Sequence, residues 1–314
     1  RIINSNNPSC SLEIIVGYEI EKDITYKVTL EKKNSLLFLI ETFSTIQDGN
    51  QIVQITHFSE GDSYIDTNYL PNTEKYNLIK KIVDKVQEVM ARLIFISPAP
   101  ENMRKYVKVS KKLKPDASNI AGVLASLPED RKSQIEQKLT EILGKIPDKD
   151  LVKVWAQKVG PIGSDAMLYC QEGWQGEEAE IIDAQTMSDG TLRFLAIVAT
   201  LLLAKEHSLV LIEEVDNGLH PSRAEYLVKT LLELGQQRKI DIVFTTHNPA
   251  LLDALGNEMI PFISVVHRNP NTGNSEITLL EELENLPKLM ASGSIGKLVS
   301  QGKIESSLKH QLEK

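Results

Sequence analysis

The sequence predicts an α/β protein: a β-rich N-terminal part, a helical middle region and a mainly parallel core sheet. Three observations carry this. Apolar residues alternate from Leu12 onwards, as in half-buried strands. Two short, continuous apolar runs, within Ser208–Asp216 and Ile240–Pro249, each end in polar residues. The stretch between them, Pro221 to Leu234, is amphipathic at helical spacing, which makes the three a β-α-β unit of parallel strands. The expected boundaries are 1–109 for the β-rich part, 110–165 for a helical insertion and 166–314 for the lobe that carries the polar strand ends.

The elements follow in order. Leu12, Ile14, Val16, Tyr18 and Ile20 alternate, as do Tyr26, Val28 and Leu30 after the turn-prone Glu21-Lys22-Asp23, so the two runs form a hairpin. Leu36–Ile40 and Gln51–Ile55 are further strands on either side of Asp48-Gly49-Asn50. Thr73 can cap a helix with Tyr76, Ile79, Ile82, Val83, Val86 and Met90 on one face. A short strand, Leu93–Ile96, stops at Pro98 and Pro100. Two helical patterns lie within Ser118–Trp155, separated by Pro128, and Met167–Cys170 and Ile181-Ile182 read as strands. Beyond Leu255 come Ile263–His267, Ile277–Leu280 and a polar helix.

Composition narrows the function classes. Among 314 residues, 35 Lys and Arg face 43 Asp and Glu, a net charge of −8, with 41% hydrophobic and 25% charged residues. That is globular and excludes disordered or fibrous chains. No run approaches the ~20 apolar residues of a membrane helix; the longest, Phe194 to Ala204, is broken by Thr200. Two cysteines, Cys10 and Cys170, cannot make a disulfide framework or a four-thiolate zinc site, which fits a reducing cytoplasm. The acidic balance disfavours a chain that coats nucleic acid through overall charge. A local contact remains open at the basic cluster Arg104–Lys114, which reads either as a solvated face or as a phosphate-backbone contact.

The residues with chemistry lie between Asp183 and Leu255. Ser188-Asp189-Gly190-Thr191 stands at the entrance of an apolar helix, where a serine oxygen can cap free N–H groups and the helix end favours an anion. Taken alone, it is a capped core helix. The strand within Ser208–Asp216 ends in adjacent carboxylates, Glu213 and Glu214, where open α/β sheets bind ligands and where hard oxygen donors suit Mg²⁺. Opposite-pointing neighbours on a strand allow one carboxylate to serve the metal and the next to face an attacking water. The second strand ends in Thr245-Thr246-His247-Asn248-Pro249, with His247 at its tip.

Together these residues resemble the ABC-type ATPases, in particular the SMC- and RecF-like branch of stand-alone ATPases that includes bacterial defence-associated and overcoming-lysogenization-defect-like proteins. Ser188-Asp189-Gly190-Thr191 is similar to the signature motif, Glu213 to the Walker B acid and Glu214 to the catalytic glutamate. Asn217-Gly218-Leu219-His220-Pro221 is similar to the D-loop and His247 to the switch histidine. The resemblance covers the chain from about Asp183 onwards. It implies an ABC-type ATPase head that binds ATP and Mg²⁺ between two copies of the chain: Glu213 on the metal, Glu214 and His247 catalytic, and Ser188, Asp189, Gly190, Thr191, Asn217, Gly218 and His220 on the nucleotide. The homodimer, or higher homo-oligomer, would act as an ATP-dependent switch in anti-phage defence or DNA maintenance, with no membrane role and with its effector on a separate chain. The alternative is a nucleotide-dependent scaffold or sensor without turnover.

Two residues depart from the commoner pattern: Glu213 stands for aspartate and Asp189 for glycine. No Gly-x-x-x-x-Gly-Lys-Ser/Thr occurs; the nearest, Gly293-Ser294-Ile295-Gly296-Lys297-Leu298, has the wrong spacing. Because the chain starts at Arg1 without a signal-peptide pattern, the expectation is that the natural protein extends upstream and carries this loop there.

Overall fold

The computed structural model describes residues 9–18, 22–33, 36–47, 50–59, 91–147, 151–173 and 179–312. The chain forms two compact units, Arg1–Ala91 and Arg92–Lys314. In the first, β1 (Ser9–Tyr18), β2 (Lys22–Lys33), β3 (Leu36–Gln47) and β4 (Asn50–Ser59) make an antiparallel meander in sequence order. The expected hairpin is its first pair, with Tyr18 opposite Lys22. The expected helix over Thr73 to Met90 lies outside the described residues.

The second unit holds the core. β5 (Leu93–Ile96) runs parallel to β10 (Leu209–Ile212), and β10 to β11 (Asp241–Phe244), giving the order β11-β10-β5. A second, antiparallel sheet centres on β8 (Asp165–Glu172), which pairs with β7 (Leu151–Val159), β6 (Val107–Lys108) and β9 (Glu180–Asp183). The helices between are α1 (Pro100–Met103), α2 (Ile120–Ala125), α3 (Glu129–Leu143), α4 (Asp189–Leu203) and α5 (Pro221–Arg238). The β10-α5-β11 crossover is the expected one.

The segment 110–165, expected to be helical, contains the two helices and also β7. Within β7 Val154 and Ala156 are buried while Lys153 and Gln157 are exposed, and Trp155 stacks on its cross-strand partner Tyr169 with ring centroids 5.7 Å apart. Helix α3 covers this strand's backbone: Ala156 N–H donates to Glu136 Oε1 at 2.8 Å and Val154 N–H to Thr140 Oγ1 at 3.0 Å. Paired donors of this kind keep a sheet edge from recruiting another strand.

Continuous apolar runs of this kind suit parallel strands buried on both faces, an expectation that the structure corrects. Ile96, Val210 and Ile212 are buried, but on the opposite face Phe95 is 47% and Val243 54% exposed, so among the described residues one face of this sheet is covered and the other is open. A continuous apolar run has the same composition whether one face or two are packed, and the sequence pattern does not separate the cases.

A smaller apolar cluster, built on Leu280, Leu283, Leu286, Ile295, Leu298, Ile304 and Leu308, follows. It belongs to the hairpin β12 (Ser264–Arg268) with β13 (Ser275–Leu279) and to α7 (Leu286–Met290), α8 (Ile295–Ser300) and α9 (Lys303–Leu312). It meets α6 (Pro249–Leu255) through Leu252. No described helix is long and apolar enough to cross a membrane.

The basic segment Arg104–Lys114 passes through β6 into a pinned loop. Buried Asn119 accepts from Lys114 N–H at 2.9 Å and donates to Ser110 Oγ and the Lys112 carbonyl, both at 2.8 Å. Gly122 lies so close beneath it that a Cβ there would fall 2.2 Å from the Lys108 carbonyl oxygen. Gly122→Ala is therefore expected to lower stability by about 2 kcal/mol or more, since backbone rather than a flexible side chain must move. Thermal or chemical denaturation measures it, and a change below about 0.5 kcal/mol contradicts the packing described.

Candidate functional site

The site begins at α4. Ser188 is extended (φ −66°, ψ 151°), and its Oγ accepts from Thr191 N–H at 3.2 Å, the expected cap. The Leu192 N–H bonds to the Ser188 carbonyl at 3.0 Å, so Asp189 and Gly190 carry the N–H groups without a partner inside the helix. Ser188 and Asp189 are exposed, whereas Thr191 is buried with its hydroxyl 2.8 Å from Ser188 Oγ. Gly190 is buried against the next loop; a Cβ would sit 3.2 Å from Leu219 Cδ2 and 3.3 Å from the Gly218 carbonyl oxygen. Its lack of a side chain thus serves packing within the chain.

The acid turn follows β10. Glu213 and Glu214 are both exposed, and the strand has ended at Ile212, so they leave it in a turn instead of pointing to opposite faces of a continuing strand. Glu214 takes a left-handed conformation, φ +45°. Outside glycine this costs about 1 kcal/mol or more and persists only where neighbours hold it. They do: the Glu214 N–H donates to Thr245 Oγ1 at 2.9 Å, and Asn217 Nδ2 donates to Glu214 Oε2 at 2.9 Å. Val215 N–H bonds to the Thr245 carbonyl at 3.0 Å. Beyond Asn217, Gly218 turns with φ +72°, and His220 stands just before α5 with Nδ1 2.9 Å from Ser222 Oγ.

The loop after β11 completes the arrangement. Thr246 Oγ1 donates to Asp216 Oδ1 at 2.7 Å and accepts from Asn248 N–H at 3.0 Å. Asn248 caps α6 through Ala250 N–H at 3.0 Å, and His247 is exposed at the tip. The switch loop, acid turn, D-loop-like turn and entrance of α4 therefore touch in sequence and form one polar rim.

Sequence reasoning passed over three parts of this rim. Thr245 and Thr246 were read as strand-end residues, yet their hydroxyls bind the acid turn to the next strand. Arg104 was read as one of a basic cluster, yet its Nη2 lies 2.6 Å from Asp189 Oδ1 and 2.8 Å from the Met187 carbonyl oxygen. Nothing local marks an arginine that closes on a residue 85 positions away.

Among the described residues no group of three or more His, Cys, Asp or Glu side chains is placed to hold a metal ion unaided. The exposed Glu213 carboxylate at a strand end fits the role Mg²⁺ asks of a protein, one or two carboxylates with waters and substrate phosphates supplying the rest.

Residues 175–253 match the family described as "AAA domain, putative AbiEii toxin, Type IV TA system". That segment contains every predicted site residue and excludes Arg104. No curated protein matches the chain in sequence. Three solved structures are similar to it: an Smc head bound to the C-winged helix domain of ScpA, at 9% identity and TM-score 0.44 over 81% of this chain and 74% of that one; the SMC head domain from Thermotoga maritima, at 9% and 0.37 over 82% and 74%; and a Pyrococcus furiosus Smc head domain with an extended coiled coil bound to the C-terminal domain of ScpA, at 10% and 0.37 over 86% and 80%.

Thr245→Val removes the acceptor for the Glu214 amide while keeping side-chain shape. Hydrogen exchange across residues 213–217 is expected to quicken about fivefold, the loss of about 1 kcal/mol of hydrogen bond. Unchanged exchange there contradicts the coupling.

Proposed function

We propose that the chain is the signature, acid-turn and switch part of an ABC/SMC-like ATPase head, in which ATP held between two copies drives association and its hydrolysis releases it. The observation that carries this reading is the continuous polar rim from Thr246 through Asp216, Glu214 and Gly218 to Gly190 and Ser188. The family match over the same residues supports it. The reading requires a phosphate-cradling loop that these 314 residues do not contain.

Each residue then has a task set by its place. Ser188 keeps the entrance of α4 in register, and the open N–H groups beside it meet the terminal phosphate of a nucleotide carried by the second copy. Glu214, steadied by Asn217, orients the attacking water and takes up its proton. Glu213 holds part of the metal shell. His247 steadies the terminal phosphate and registers its departure. Asn217, Gly218 and His220 line the turn that links the two nucleotide sites. Bound Mg²⁺ supplies charge neutralisation on the phosphate oxygens.

The switch acts through an effector on another chain, in phage defence or DNA maintenance. The similarity of residues 175–253 to the family described as "putative AbiEii toxin, Type IV TA system" supports the defence setting. Nucleic acid would be met locally, by exposed Lys105, Lys111, Lys112 and Lys114 on the loop that Asn119 pins. The non-hydrolysing alternative gives the same association without turnover.

Glu214→Gln in the full-length protein is expected to slow ATP hydrolysis by about 100-fold or more and to accumulate an ATP-bound dimer on size-exclusion chromatography. Undiminished turnover removes Glu214 from the role. Ser188→Arg should stop hydrolysis and leave ATP binding by the single copy intact; lost binding would contradict a contact made across the dimer.

A further inference from the structure

Arg104 lies outside the matched family segment and outside the site motifs between Asp183 and Leu255, yet it reaches the signature loop from the end of α1. One guanidinium nitrogen makes two contacts that straddle Ser188: 2.8 Å to the Met187 carbonyl oxygen before it and 2.6 Å to Asp189 Oδ1 after it. The geometry matters because of what Asp189 is. A carboxylate in the first turn of a helix stabilises the helix itself. It also places a negative charge, 70% exposed, beside the N–H groups that the proposed function offers to a phosphate. Two anions at that range repel each other unless a cation lies between them.

We infer that Arg104 is a positioning residue of the nucleotide site: it cancels the Asp189 charge and fixes the Met187–Asp189 loop, so that the entrance of α4 accepts a phosphate group. This rests on the proposed function and adds to it a cation supplied by a different part of the fold. Arg104 is itself only 26% exposed, so its side chain is set by packing before any ligand arrives. Such preorganisation avoids ordering a long side chain at the moment of binding.

The test uses the full-length protein, with ATP-dependent dimerisation followed by sedimentation and hydrolysis by phosphate release. Arg104→Ala is expected to weaken ATP-dependent association about three- to tenfold, the range of an exposed ion pair joined by a charge-assisted hydrogen bond. Adding Asp189→Asn to Arg104→Ala should restore most of that loss, because the repelling charge is gone. A merely structural role moves the thermal midpoint and predicts no such rescue. Wild type that associates normally, beside Arg104→Ala that matches it or a double variant that stays as weak as the single, overturns the inference alone. Wild type that shows no ATP-dependent association overturns the proposed function, and the inference with it.

Discussion

Twelve of the fifteen residues of α4 are buried, so the helix has no polar face to show to water. Its side chains pack against α1, α3 and α5, with Phe194 stacked on Tyr226 of α5 at 5.7 Å, and the buried Thr200 hydroxyl is settled locally, its Oγ1 donating to the Ala196 carbonyl at 2.7 Å. Apart from the part-exposed Arg193, a helix of this kind meets solvent only at its ends. At the C-terminal end Arg238 Nη2 donates to the Ala204 carbonyl at 2.8 Å, a cation where the helix dipole favours one. The N-terminal end is left as the place where unpaired donors reach the surface, and Ser188, Asp189 and Arg104 are arranged around that opening.

What the buried helix presents, the two parallel strands complete. β10 and β11 end in register, so the turns that follow them are neighbours, and threonine hydroxyls join them. Thr245 takes the Glu214 amide and Thr246 the Asp216 carboxylate, which makes any shift of the loop carrying His247 a shift of the acids as well. The strained backbone at Glu214 is maintained by those same bonds. A displacement of the loop carrying His247 thus has a short, covalently and hydrogen-bonded route to the acid turn and on through Gly218 and Leu219 to Gly190.

The amino-acid pattern was sufficient for the parallel unit, the serine cap at α4 and the hairpin, because each rests on local spacing or on a cap within three residues. It failed wherever a contact spans the chain. β7 was lost inside a stretch read as helix, since its alternation is short and its edge is satisfied by Glu136 and Thr140 from α3. The open face with Phe95 and Val243 was invisible, because apolar residues are apolar whether or not something covers them. Arg104 looked like one lysine-rich-loop cation among several; only the fold brings it to Asp189. Gly190 was read as clearance for a ligand, and the structure adds the closer reason that Leu219 already fills the space.

The central claim is that two copies complete one hydrolytic site. The most direct measurement is magnesium-dependent phosphate release from ATP by the full-length wild-type protein, followed over a wide range of protein concentration. A site shared between copies predicts that activity per molecule rises with concentration and then levels off as the dimer saturates. Activity per molecule that is constant down to the lowest concentration, or no phosphate release at any concentration, would contradict the account.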